Sequence, residues 1–245
     1  MQPTRIDWDA IVIGGGPAGS TTARYIAEGG ADVLVIDGRD PIGSPLQCGE
    51  LVPSNDEIRR LCPDVPEVDD LLRTPDSAIS MRTREMRLVP PSGKPLCYDF
   101  EGFVLDRVTH DESLVELAQS RGAHYLVGSR VESVEGETVR LRDGSEYTAR
   151  VVIGAAGHND PLRKSEWDEE SLNIPVKFVL MSGDFEDALE LHFGSVAPGG
   201  YAWKFPKQGG ANIGLGIQTS LARGKSLNEY SEEFISRYGG RIEFR

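Results

Sequence analysis

No run in the 245 residues approaches the roughly 18 apolar positions of a membrane-spanning helix. No charged start followed by a short apolar stretch precedes the first strand. These absences predict a cytoplasmic protein whose only meeting with a membrane is peripheral. Basic residues are in deficit, 26 Lys and Arg against 39 Asp and Glu, giving a formal charge of −13. That excess repels phosphate backbones and argues against nucleic acid as a partner. The three cysteines, Cys48, Cys62 and Cys97, lack the paired spacing of a zinc site or a disulfide framework, so reduced thiols are expected. His110, His124, His158 and His192 have no metal-ligand spacing, and no metal is expected. Aromatics are also scarce, with three Trp, seven Tyr and eight Phe.

What is present reads as α/β. The stretch "DAIVIG" is a buried strand, "PAGSTTARYIAEGG" a helix closed by Gly29 and Gly30, and "DVLVID" a second buried strand, together one βαβ unit. "GRDPIGSPLQCGELVP" is dense in Gly and Pro and reads as a long ordered loop. A polar helix around Asn55 to Cys62 follows, then short strands near Ala78 to Met81 and Met86 to Val89, and a turn at "PPSGKP". Thr109 and Glu112 have capping-box spacing and open a helix that Gly122 ends. A hairpin turns at Asp143 and Gly144 and runs into a buried strand. Several strands with glycine-rich turns fill Pro175 to Gln218, and Gly183-Asp184 reads as a surface turn. A second capping box, Ser226 and Glu229, opens a last helix that Gly239 stops, and "RIEFR" after it reads as the start of a strand with no partner.

Within the βαβ unit, "GGGPAG" sets Gly14, Gly16 and Gly19 at the spacing of the dinucleotide fingerprint, between a strand and a helix. Gly14 permits the tight turn, Gly16 the close approach of a pyrophosphate, and Gly19 close packing of helix on strand. Phosphates would then sit at the helix N-terminus, where free N–H groups favour anions. Asp37 ends the second strand, where an acid accepts bonds from both ribose hydroxyls and disfavours a 2′-phosphate. NADP is thereby disfavoured, and FAD and NAD both remain.

The scarce aromatics concentrate in "PGGYAWKFP". Alternation puts Tyr201, Trp203 and Phe205 on one face of an extended segment. Periodicity alone reads this as a core strand between two turns, and the alternative is an aromatic wall for a flat or oily ligand.

The segments "IGGGPAGSTTARYIAEGG", "RDPIGSPLQCGE", "GFVLDRVTHDESLVELA", "VVIGAAG" and "GSVAPGGYAWKFPK" together resemble the geranylgeranyl reductase family, in particular the archaeal digeranylgeranylglycerophospholipid reductase-like members. These are FAD enzymes with the para-hydroxybenzoate hydroxylase fold. The resemblance implies a Rossmann-like FAD-binding domain, residues 1–75 and 106–165, interleaved with a mixed or antiparallel sheet domain for substrate, residues 76–105 and 166–245. It implies FAD in the fingerprint site, with Arg39 near the adenosine and Arg107 near the flavin or its diphosphate. It also implies a prenyl lipid against Pro198, Tyr201, Trp203, Phe205 and Pro206, and Cys48 as a residue facing flavin and substrate, the candidate catalytic group. The electron donor stays open. The chain departs from the family in two places. Ala156 stands where relatives carry an acid, and the later Gly-Asp segment on the ribityl side is not reached before Arg245, as if the sheet domain were truncated at its C-terminus. The function implied is saturation of geranylgeranyl double bonds on ether-lipid precursors. An aromatic monooxygenase using FAD and NADPH, or a non-catalytic remnant that binds flavin or lipid, is the alternative.

Overall fold

The computed structural model describes residues 7–166 and 174–244. In chain order the first elements are β1 (Trp8–Ile13), α1 (Pro17–Glu28), β2 (Val33–Ile36), β3 (Leu51–Pro53), α2 (Asn55–Leu61), α3 (Val68–Leu71), β4 (Ile79–Val89), β5 (Leu96–Leu105) and α4 (Arg107–Ser120). They are followed by β6 (His124–Leu126), β7 (Val131–Glu135), β8 (Thr138–Leu141), β9 (Glu146–Gly154), α5 (Pro161–Glu166), β10 (Val176–Ser182), β11 (Leu189–His192), β12 (Tyr201–Lys207), β13 (Gly210–Gly216), α6 (Leu227–Ile235) and β14 (Arg241–Phe244). None of the described helices is long and apolar enough to cross a membrane.

The chain divides into two compact units, Met1–Gln47 with Arg107–Glu170, and Cys48–Asp106 with Ser171–Arg245. The first division therefore falls after residue 47 and not after 75. Leu51–Pro53, read from the sequence as loop, is a strand paired antiparallel to β5, with Leu51 opposite Val104. The hydrogen bonds of that pairing tie the segment to the second unit. The later division, expected at residue 165, abuts residues 167–173, which lie outside the described residues.

The first unit is built on a six-stranded sheet in the order β6-β2-β1-β9-β8-β7. β1 pairs parallel with both β2 and β9, so its backbone is satisfied on both edges. Its two faces are also both covered, which is why it reads as an unbroken apolar run. Ala10 and Val12 pack with Ala23 of α1 and Ala118 of α4, while Ile11 and Ile13 pack with Val139, Leu141 and Ala149 of the antiparallel strands. Helix α4 begins at Arg107, so Thr109 and Glu112 lie within it and do not cap it. Its first turn is fixed by tertiary contact. Gly43 lies so close that a β-carbon there would come within 3.1 Å of the Val108 Cα.

The second unit carries an eight-stranded sheet, β14-β10-β13-β12-β11-β4-β5-β3. The two short strands expected near residues 78 and 86 are one strand, β4, with register shifts at Ile79/Met81 and Thr83/Glu85. Each bulge interrupts the two-residue alternation by which a strand is recognised. β14 pairs antiparallel with β10, Met181 opposite Ile242, and so has the partner that the sequence reading denied it.

β12 divides the second unit into two chemistries by simple alternation. Ala202, Ala211, Ile213 and Leu215 pack with Tyr230 and Phe234 of α6 on one face. The capping box at Ser226 holds that helix as expected, with Ser226 Oγ accepting from Glu229 N–H and Ser226 N–H donating to the Glu229 carboxylate. Beneath it, Glu190 accepts from His192 at 2.9 Å and from the Tyr238 hydroxyl at 3.0 Å, and Lys204 lies 3.1 Å from its other oxygen. Burial pushes the Glu190 carboxyl up, but His192, Lys204 and Tyr238 together outweigh it and hold the group at about 2, against an ordinary 4.5. A depressed carboxyl contributes stability above the unfolded-state value and loses it as pH falls through 4.5 towards 2. On the order of 3 kcal/mol rests on this pair of values. Urea midpoints measured down through that interval should fall more steeply for the wild type than for Glu190→Gln. Parallel curves would remove Glu190 from the account.

Candidate functional site

The dinucleotide fingerprint lies at the head of α1, on the floor of a cleft of ≈ 820 Å³ that also meets β2, β7 and the Ala155–Gly157 turn. The loop is held from below. Gly14 N–H donates to the Ile36 carbonyl at 2.8 Å, and Gly15 N–H donates to Asp37 at 2.7 Å. The Ser20 hydroxyl donates to the Gly15 carbonyl and accepts from Tyr125. Gly14 takes a φ of 104°, and a β-carbon there would sit 2.5 Å from the Ala155 carbonyl oxygen. At Gly19 it would sit 1.8 Å from the Gly14 carbonyl oxygen. At Gly16, by contrast, the nearest atom is Arg39 Nη2 at 3.7 Å, so the space above Gly16 is open. No side chain caps α1 and its first turn holds no acid, which leaves its leading N–H groups and the positive end of its dipole for an anion. These features fit the diphosphate of a dinucleotide such as FAD.

Asp37 is 5% exposed and fully engaged within the protein. One oxygen accepts from Arg39 N–H and Nε, the other from Gly15 N–H and Arg39 Nη2. Burial raises its carboxyl, and the bonds from Arg39 and Gly15 overcome this and hold it below the usual range. Asp37 and Arg39 thus come together with Gly14 and Gly16 on the cleft. Arg107 does not line it. It opens α4 and forms a two-pronged pair with Asp111, which is 1% exposed and also meets His110 Nδ1. Burial raises the Asp111 carboxyl, but His110 and Arg107 depress it further.

Sequence reasoning missed Arg130, Arg142 and Asp160. The two arginines lie on neighbouring strand ends, joined by Arg142 N–H to the Arg130 carbonyl, and both line the cleft. Asp160 accepts from Ala156 N–H at 2.8 Å and Leu162 N–H at 2.9 Å, bracing the turn at which the expected acid is replaced by Ala156. No spacing in the sequence announces a carboxylate acting four residues downstream.

In the second unit, Trp203 and Phe205 are each 5% exposed and lie nearly parallel, centroids 6.0 Å apart. Tyr201 is 46% exposed, with its ring 5.9 Å from Trp203 and 6.4 Å from Phe193. Of the three rings of "YAWKF", two are therefore core and one reaches solvent. Pro206 sits on the opposite face of β12, opposite Ala211, and Pro198 precedes the strand, its carbonyl accepting from Gln218 N–H. A signal for this arrangement was present in "GANIGLG". β13 places Gly214 beside Trp203, and a β-carbon there would come within 2.5 Å of the indole and of Phe178. Cys48 is half-buried, and its carbonyl accepts from Asn212.

A model of the geranylgeranyl reductase catalytic domain matches residues 172–244, and one of an NAD(P)-binding Rossmann-like domain matches residues 12–53. Digeranylgeranylglycerophospholipid reductase from Picrophilus torridus is 32% identical over 96% of this chain and 63% of its own length. An uncharacterized protein of Methanosarcina barkeri, encoded in the nifH2 5′ region, is 36% identical over 65% of this chain and 87% of its own. The crystal structure of a geranylgeranyl bacteriochlorophyll reductase-like protein from Thermoplasma acidophilum superposes with a TM-score of 0.80 at 29% identity, covering 96% of this chain and 64% of that one. The chain thus spans about 63% of the length of the reductase it matches.

Proposed function

We propose that the chain belongs to the geranylgeranyl reductase family, to which its matched segments and the reductase from Picrophilus torridus are similar, and that it serves an FAD-dependent reductase that saturates carbon–carbon double bonds in geranylgeranyl chains of lipid precursors. The observation that carries this reading is the ring-bearing strand β12, with Tyr201 reaching solvent beside a dry Trp203–Phe205 pair. A polyprenyl chain is bound chiefly by area removed from water, which such rings supply at low entropic cost.

Gly14 and Gly16 would hold the diphosphate, with Gly19 packing α1 onto the turn; Arg39, anchored by Asp37, would meet the adenosine end, and Arg107 would stand on the flavin side. Bound FAD, once reduced to FADH2 by a separate electron donor, would supply hydride for one alkene carbon. A proton must reach the other carbon, and we assign its delivery to the Cys48 thiol or a water beside it. Asp37→Ala removes the acceptor of Gly15 N–H and the anchor of Arg39, and should weaken FAD binding by about 1 to 3 kcal/mol. Titration of FAD fluorescence checks this, with NAD as competitor. Equal affinity in wild type and variant would remove the cleft from the cofactor's path.

A further inference from the structure

We propose that Asn212 and Glu50 are positioning residues that lock the Cys48–Gly49–Glu50 turn and the Trp203 ring into one rigid wall, an inference that rests on β12 being the prenyl-facing strand.

Asn212 is wholly buried in β13, and its amide has no spare capacity on the donor side. Its Oδ1 accepts from Trp203 Nε1 at 3.0 Å, while Nδ2 donates to the Cys48 carbonyl at 3.1 Å and to the Glu50 carboxylate at 3.0 Å. An indole can only donate, and a carbonyl and a carboxylate can only accept, so these partners fix which way the amide points. Glu50 is 2% exposed, and its second oxygen takes Lys207 Nζ at 2.6 Å.

The backbone of the turn is as constrained as its side chains. Glu50 has φ of 70°, the left-handed region that favours glycine. A bulky residue persists there only where its surroundings hold it, and here the buried carboxylate is what they hold. Gly49 lies directly on the rings, since a β-carbon would come within 2.9 Å of Phe205 and 3.3 Å of Trp203 Nε1. Glu50 N–H donates to Cys48 Sγ at 3.2 Å. One amide therefore sets the indole, the turn and, through Glu50, the thiol. A fully satisfied buried network of this kind contributes rigidity and specificity more than stability. A flexible isoprenoid gains most from a wall that does not move when it binds.

The test uses Cys48 as reporter in a Cys62→Ser/Cys97→Ser background, with iodoacetamide alkylation followed by mass spectrometry under native conditions. Asn212→Leu and Glu50→Ala should each speed alkylation about tenfold by local opening of the turn. Glu50→Gln keeps one acceptor oxygen, enough for Asn212 or Lys207 but not for both, and should alkylate at a rate between those of the parent and Glu50→Ala. Phe234→Leu, under α6 on the opposite face of the sheet, supplies a matched loss of melting temperature without touching the network, and should alkylate at the parental rate. Alkylation by Phe234→Leu as fast as by Asn212→Leu would overturn the proposal. So would equal rates for Glu50→Gln and Glu50→Ala, a comparison that stands even if Asn212→Leu does not fold. No lipid or cofactor enters the assay, so its failure is separable from failure of the prenyl-facing reading. That reading is overturned instead by undiminished lipid binding in Tyr201→Ala.

Discussion

Gly19→Ala is expected to cost the first unit about 3 kcal/mol or more of stability, whereas Gly16→Val should leave the fold intact and abolish dinucleotide binding. The two glycines are three residues apart and differ in what surrounds them. A β-carbon on Gly19 would lie 1.8 Å from the Gly14 carbonyl oxygen and 3.3 Å from Ala155 Cβ. Both neighbours are fixed, the first by the β1-to-α1 turn and the second by Ala155 N–H donating to the Ile13 carbonyl at 2.8 Å. To admit a methyl group, α1 would have to lift from the sheet it covers. Above Gly16 there is only Arg39 Nη2 at 3.7 Å and the open cleft, so a valine would occupy the space a diphosphate needs. Thermal melting and FAD titration on both variants separate the two effects. Retained FAD binding in Gly16→Val, or an unchanged melting temperature in Gly19→Ala, would contradict the assignment of these roles.

Trp203→Ala should lower stability by about 3 to 5 kcal/mol, and Tyr201→Ala by about 1 kcal/mol or less. Trp203 is 5% exposed, stacks on Phe205 and covers Gly214, and its loss would also strip Asn212 Oδ1 of its donor. Tyr201 is 46% exposed and leaves little void behind. The order reverses for ligand binding. Loss of the Tyr201 ring should weaken association with a geranylgeranyl lipid by about 1 to 2 kcal/mol, the apolar area of one exposed ring. Melting curves and lipid partitioning on the same two proteins check both halves. A Tyr201→Ala variant that melts early yet binds lipid normally would return the whole strand to a purely structural role.

The parts of this molecule that were legible in the sequence are those whose causes are local. Gly14, Gly16, Gly19 and Asp37 announce the nucleotide cleft because a tight turn, a close approach and a strand end each demand one residue type at a fixed offset. The Ser226 capping box and the Asp143-Gly144 hairpin were readable for the same reason. What failed depended on distant partners. Leu51–Pro53 is a strand only because β5 lies beside it. β4 is continuous despite two bulges that break its alternation, and β14 finds β10 some sixty residues earlier in the chain. The start of α4 was misplaced because Thr109 and Glu112 imitate a cap while the helix is set by Arg107, Asp111 and the loop at Gly43. In the second unit, the aromatic motif identified its strand but not which ring would reach solvent. The Asn212–Glu50–Lys207 network that orders it joins residues up to 162 positions apart, in a relation that no spacing encodes.

The proposed function is reduction of prenyl double bonds with flavin chemistry. Its most direct test is to incubate the purified protein with FAD, dithionite and a geranylgeranylated glycerophospholipid under anaerobic conditions, and to weigh the lipid by mass spectrometry. The expected result is a lipid that gains hydrogens in pairs, two for each double bond saturated, in a reaction lost in Gly16→Val. A lipid of unchanged mass, with oxygen and NADPH instead consumed when an aromatic substrate is supplied in air, would contradict the account and assign the protein to monooxygenase chemistry on the same fold.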